Sequence, residues 1–218
     1  MPRPSSPLLS RKLVVAAALQ IIDNEGLAAC STPRLAREFG VRAPSLYHHF
    51  TDRADIMAEV ARLVVRETPF PRERDPDNWM DWFVEQAVNF RRTILKHPNV
   101  APILLEFLPR DQLSALYDNA ARLLNEAEVP TEVHALILDG LETLTVGAAL
   151  ITATKAPGKR NTPFPSVNRA TDPALAAAVD ANPWQTSEEL FAEVVRAMLR
   201  GALEAVGVAA SHSRSRQS

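Results

Sequence analysis

The chain has 218 residues, enough for one or two domains and a sizeable core. Apolar residues make up 46% and charged residues 23%, the balance of a soluble globular chain, and a net charge of -2 argues against a general polyanion binder. A single cysteine, Cys30, excludes an intrachain disulfide, while 7 glycines against 17 prolines disfavour glycine-rich phosphate loops and suit helices with proline-marked ends.

In chain order, residues 1–9 are rich in Pro and Ser and are expected to form a disordered arm. Ser10 is a good N-cap for a first helix that ends at Glu25 before Gly26, with Leu13, Ala16, Ala17, Leu19, Gln20 and Ile21 on its apolar face. Arg11-Lys12 before an apolar run imitates a signal peptide, but Gln20 interrupts the run and Asp23-Asn24-Glu25 follows it without a small-residue cleavage site. Thr32 is expected to cap a short second helix, with Pro33 at its first position and Gly40 as its stop. Pro44 opens a third helix ending near His49, and Asp52 caps a fourth over 53–66 with Ile56, Val60, Leu63 and Val64 inward.

Thr68-Pro69-Phe70-Pro71 breaks the chain. Apolar spacing then predicts a long helix over 77–96, shorter ones over 99–107 and 110–127, and a second long helix over 131–155. That last helix is apolar nearly all round, with Gly140 and Gly147 permitting close approach of another backbone, so burial on more than one side is expected. Asp139 and Glu142 near its middle would each cost about 2.5–3.5 kcal/mol at a bilayer centre, which favours a buried helix over a membrane span. Residues 156–172 have no period and read as a mobile loop, a final helix covers 187–205, and 209–218 form a tail expected to be disordered. No strand-type alternation occurs, so the fold class is all-α, in a cytoplasmic protein.

Charge divides unevenly along this plan. Residues 1–66 hold nine Lys/Arg against six Asp/Glu, and the other 152 residues hold fifteen against twenty. The informative stretch is 31–53, STPRLAREFGVRAPSLYHHFTDR: two very short helices joined by a turn containing Gly40-Val41. This is the helix-turn-helix arrangement, whose second helix enters the DNA major groove. Leu35, Ala36 and Phe39 face the first helix, and Leu46 and Phe50 anchor the third. At about 100° per residue, Pro44, Ser45, Tyr47 and His48 then point outward, flanked by Arg42 and His49. The outward set can donate to phosphates and base edges.

The stretch closely resembles the DNA-binding domain of the tetracycline-repressor (TetR) family of bacterial transcription regulators. Thr32, Leu35-Ala36, Gly40-Val41, Ser45-Leu46-Tyr47, His49-Phe50 and Arg53 carry the likeness, which extends over residues 10–62. The resemblance implies base contacts from Arg42, Ala43 and Ser45, phosphate contacts from Thr32, Tyr47, His49 and Arg53, and a variable contact position at His48. Pro33 departs from the polar or basic residue common there, and Ala43 offers only a methyl group.

The rest resembles the family's ligand-binding and dimerisation domain through Trp79, Asn89-Phe90-Arg91-Arg92, His97-Pro98 and Pro183-Trp184. It implies a helix-turn-helix domain over 10–66 and a larger helical bundle over 67–208. It also implies a homodimer joined through helices 131–155 and 187–205, bound to palindromic operator DNA and released by a small molecule. Leu104 stands where the drug repressors carry a metal-holding histidine, so a largely apolar effector without metal or cofactor is expected. Candidate lining residues are Trp79, Trp82, Phe83, Gln86, Phe90, Leu104, Phe107, Tyr117, His134 and Thr143, although aromatics at helical spacing also suit a plain core. The rival readings are an activator or ligand-independent regulator on the same fold, and a helical binding protein or enzyme that has lost DNA binding. Enzymatic chemistry finds no motif: the five histidines include no i, i+4 pair, no Glu-x-x-His is present, and Gly158-Lys159 lacks the rest of a phosphate loop.

Overall fold

The computed structural model describes residues 9–215, which fold entirely as helices and turns with no strand among them. The expected arm at residues 1–9 therefore lies, save for residue 9, outside the described residues, as do residues 216–218 of the expected tail.

The chain forms two compact units. The first contains residues up to Thr68 together with Thr93–Gln112; the second contains Pro69–Arg92 and the chain from Leu113 onward. The first boundary falls after Thr68, and residues 93–112, placed by the sequence in the C-terminal bundle, pack with the N-terminal helices.

In the first unit, α1 (Arg11–Glu25) begins at Ser10, whose hydroxyl accepts from the Leu13 amide, and ends at Gly26 with φ +88°. The buried face is Val14, Val15, Ala17, Ala18, Leu19, Ile21 and Ile22, whereas Leu13, Ala16 and Gln20 are exposed. The expected face was rotated because apolar residues surround this helix and periodicity alone does not select a side. Helix α2 (Thr32–Glu38) is capped by Ser31 rather than Thr32, through a bond from the Arg34 amide, so Pro33 stands one position further in. Gly40, at φ +64°, turns the chain into α3 (Ala43–Leu46), and α4 (Arg53–Arg66) starts at the Asp52 cap. Here α1 packs on α4, and α2 on α3. Helix α5 (Trp79–Lys96) begins in the second unit and ends in the first, where α6 (Ala101–Glu106) packs on α4.

Helix α7 (Arg110–Glu126) runs back into the second unit, which also holds α8 (His134–Ala153), α9 (Pro173–Asp180) and α10 (Ser187–Ser215). Trp79, Trp82 and Phe83 meet edge-to-face at 5.9 and 5.1 Å and lead a core completed by Leu123, Leu124, Ile137, Phe191, Val195 and Leu199. Helix α9 has no counterpart in the sequence reading. Its PALAAAVD run is strong in helix formers and opens with Pro at N1, but it is too short to display a period. Helix α10 passes its expected end at 205 because the lone Gly207 is too weak a stop, about 1 kcal/mol.

Helix α8 is apolar and long enough to cross a membrane by composition, yet Leu136 is 51% exposed and Ile151 is 66% exposed. The expected burial on several sides is not met within one chain. Gly140 does receive a neighbour, Met198 Sδ, 3.2 Å from where a Cβ would stand, while a Cβ at Gly147 would meet nothing within 4 Å.

The turn before α3 depends on backbone freedom alone, since a Cβ at Gly40 meets no atom within 4 Å. Gly40→Val should therefore lower stability by about 1–2 kcal/mol in thermal unfolding, and Gly40→Asn by less, because Asn tolerates the left-handed region.

Candidate nucleic-acid interface and ligand cavities

Helix α3 has four residues and its N-cap, Arg42, makes no side-chain capping bond, so local propensity does not hold it. Leu46 and Phe50, at 0 and 2% exposure, hold it from beneath. With those two inward, Arg42, Tyr47 and His48 are exposed, and Ala43, Ser45 and His49 are half-buried. The Tyr47 hydroxyl lies 3.5 Å from the Thr32 hydroxyl, joining α2's first residue to the end of α3. Arg53 is exposed but oriented, its Nε donating to the Cys30 carbonyl at 3.2 Å. Arg34 takes no part in this face: it bridges Glu25 and Glu38, each at 2.7 Å. Cys30 is buried beneath, and burial pushes its thiol up from the ordinary value, which makes it an inert packing residue.

A clamp that the sequence reading counted only as charge fixes the turn after α3. Arg11 donates to the His49 carbonyl and to both Asp55 oxygens, at 2.9 and 3.2 Å, and its guanidinium lies 4.5 Å from the Phe50 ring centre. Asp55 also accepts from the Thr51 amide at 2.9 Å, and its own amide donates to Asp52 at 2.8 Å. The Asp52-x-x-Asp55 spacing, a relative of the capping box, was the available signal. The Arg11 hydrogen bond holds the Asp55 carboxyl below its ordinary value.

Two polar contacts tie α4 to the returning segment of the same unit. Arg62 pairs with Asp111 at the start of α7. Glu67, at the end of α4, accepts from His97 Nε2 at 3.1 Å, while His97 Nδ1 lies 2.7 Å from Asp23 at the end of α1. Asn99 adds a bond to the Ile22 carbonyl at 3.0 Å.

Two cavities in the second unit stand out among the described residues. The smaller, about 60 Å³, is lined by Trp82, Phe83, Gln86, Phe90 and Tyr117, together with Leu113, Leu138, Glu142 and Thr145. Five expected lining residues are thus brought together. Gln86 Oε1 is buried there without a hydrogen-bond partner, and Tyr117 donates to Glu142. The other five stand elsewhere. Trp79 belongs to the packed core, and His134 Nε2 bonds the Val129 carbonyl at 2.9 Å. Thr143 is exposed, since it lies two residues, about 200°, around α8 from the inward Thr145. Leu104 is buried in α6 and Phe107 ends that helix, both in the first unit. The larger cavity, about 540 Å³, lies among α8, α9, α10 and the loop before α9, where sequence reading placed nothing.

The clamp carries a pH signature. A lowered folded-state pKa stabilises above the unfolded value and loses that contribution as pH falls below the ordinary 3.8 and through the folded value. Both partners are partly exposed, so Asp55→Asn should cost about 1 kcal/mol near pH 6, or about 2–4 °C in melting temperature. That gap should close as the melts are repeated toward pH 3; a gap independent of pH would contradict the clamp.

Comparison with known proteins agrees with this architecture. Residues 14–60 match the family model for bacterial regulatory proteins of the tetR family, and residues 70–206 match the tetracyclin repressor-like C-terminal domain. The class C tetracycline repressor of Escherichia coli is 31% identical over 145 residues, 65% of either chain. The class E repressor of the same organism is 29% identical over 147 residues, 65% of this chain and 68% of that one. Among solved structures, ActR of Streptomyces coelicolor in its apo form superposes with a TM-score of 0.72 at 26% identity, covering 92% of this chain and 98% of ActR. Two family models in tandem over a helix-turn-helix head and a helical bundle place this chain in the TetR family of DNA-binding transcriptional regulators.

Proposed function

We propose that this regulator is a cytoplasmic homodimeric repressor that binds a palindromic operator and is released by a small-molecule effector bound in its second unit. The observation that carries the reading is the face of the head. Buried Leu46 and Phe50 leave Arg42, Ser45, Tyr47 and His48 facing outward beside Thr32 and Arg53. In this reading Arg42, Ala43 and Ser45 meet base edges, while Thr32, Tyr47, His49 and Arg53 meet phosphates. The names of the tetracycline repressors support repression.

Dimerisation through α8 and α10 is supported by the apolar groups the single chain leaves in water: Leu136 and Ile151 on α8 and Val194 on α10. A second copy packed there would complete a helical bundle and set two heads one helical turn apart, about 34–36 Å, on DNA. For the effector, ActR has been solved in complex with actinorhodin, at 26% identity and a TM-score of 0.72. Gln86, whose buried side-chain oxygen lacks a partner, stands with Glu142 and Thr145 on the wall of the aromatic cavity, which suits a mostly apolar molecule with a few donors once the bundle opens. At about 60 Å³ it is below the 300–1,000 Å³ usual for ligand sites, so occupation must select an opened bundle. Helices α5 and α7 run through both units, and α4 is tied to the segment they flank by Arg62–Asp111 and Glu67–His97. Those ties make α4 the element that carries the bundle's state to the head.

Gel-shift titration against the DNA upstream of its own gene tests the head. Arg42→Ala should cost about 1–3 kcal/mol and relax base preference, and Tyr47→Phe should weaken binding evenly across sequences. The head is wrongly assigned if neither variant alters specific binding. Coupling has its own test: with an effector found by thermal-shift screening, Arg62→Met should retain effector binding and DNA binding while losing most of the effector's release of DNA. Normal release by this variant would remove α4 from the pathway.

A further inference from the structure

The aromatic cavity invoked for the effector has a charge of one sign. Trp82, Gln86 and Phe90 stand four residues apart along α5 and so form one stripe on its wall. Tyr117 on α7 and Glu142 on α8 face that stripe across the cavity. Among the described lining residues Glu142 is the one carboxylate, and none is Lys, Arg or His. Glu142 is half-buried, and the Tyr117 hydroxyl donates to its Oε2. Both partners of that bond line the cavity, so it holds the carboxylate at the aromatic wall. The face of an aromatic ring is electron-rich and attracts a cation, the more so where water is excluded.

The cavity stays free when a second copy packs on α8 and α10. On α8, Leu138, Leu141, Glu142 and Thr145 line it and fall within an arc of about 100°. Leu136 and Ile151, the exposed residues assigned to the second copy, are centred about 160° around the helix from that arc. Neither of them lines this cavity, and neither does Val194 of α10. The remaining walls belong to α5 and α7, which take no part in the proposed dimer contact.

We propose that the molecule taken by this cavity is an organic cation, an apolar body carrying one ammonium group. The inference rests on the effector reading above and adds to it the charge of the ligand. The ammonium donates to the Glu142 carboxylate, and the rings of Trp82, Phe90 and Tyr117 surround it with their π faces. Apolar walls strengthen such a pair, because little solvent screens it. The same walls select against an anion, which would meet Glu142 with no lining cation to offset the repulsion. At about 60 Å³ the closed cavity has room for the charged head, and the apolar body enters as the bundle opens.

The test is calorimetric titration of the full chain with 2-naphthylmethylamine, protonated at neutral pH, and its neutral isostere 2-naphthylmethanol. Both must open the bundle, so that cost cancels in the ratio of their affinities. The ammonium is expected to bind at least tenfold more tightly than the alcohol. Glu142→Gln should bring the ratio below threefold while changing alcohol binding less than threefold. Leu116→Lys, at a half-buried wall position, should weaken the ammonium at least tenfold more than the alcohol by like-charge repulsion. It keeps the test decisive if Glu142→Gln does not fold. Leu175→Glu, on the wall of the larger cavity, should leave ammonium binding unchanged. Equal binding of the two ligands, binding of neither, a preference that survives Glu142→Gln or Leu116→Lys, or a response to Leu175→Glu would overturn the assignment. A parallel gel shift separates this inference from the effector reading. Charge-selective binding without DNA release would sink that reading alone, whereas equal binding with release by both ligands would sink the charge assignment alone.

Discussion

The reading head depends on holding a four-residue helix in place. One turn of α3 cannot maintain itself in water, because nucleation fixes several residues for a single hydrogen bond. Its orientation is imposed by neighbours: Leu46 and Phe50 fill the floor, Gly40 provides the sharp entry, and Arg11 grips the exit through the His49 carbonyl, the Phe50 ring and Asp55. Arg42, Tyr47 and His48 are outward because those anchors leave them no other direction. Surface ion pairs are usually worth little, but this one couples three elements at a turn and has a bidentate, cation–π geometry.

The second unit solves a different problem. Helix α8 is apolar nearly all round, and one chain does not cover it, so Leu136 and Ile151 remain exposed. Against the same helix lie two cavities of opposite character. One is a tight aromatic pocket with Gln86, Glu142 and Thr145 on its wall; the other is roomy and mostly apolar, with Arg91 among its lining residues. Unpaired buried polar groups destabilise a bundle, so Gln86 and Arg91 each carry a cost that packing alone does not offset.

Much of the head was legible in the sequence. Ser10, Gly26, Gly40 and the Asp52 cap set helix limits to within a residue or two, because caps act through bonds three residues away. The assignment of α1's inward face failed, since an all-apolar surface has no preferred side until α4 is present. The ligand residues split for a related reason. Trp82, Phe83, Gln86 and Phe90 share one face of α5 and met at one cavity, whereas Thr143 missed it by two positions and Leu104 folded into the other unit.

The sequence by itself determined the helical class, the helix-turn-helix and the family, because these rest on interactions within one or two turns of chain. Its net charge of -2 concealed a basic head on an acidic body, and only the distribution was informative. Tertiary structure alone decided which cations were free. Arg34 and Arg11 are held in ion pairs, Arg42 is exposed, and Arg91 is buried without a carboxylate. The physical reason is that a charge is defined by its neighbours. Those neighbours come from distant helices, 61 residues along the chain in the case of Arg91 and Thr152, a distance that no local pattern spans.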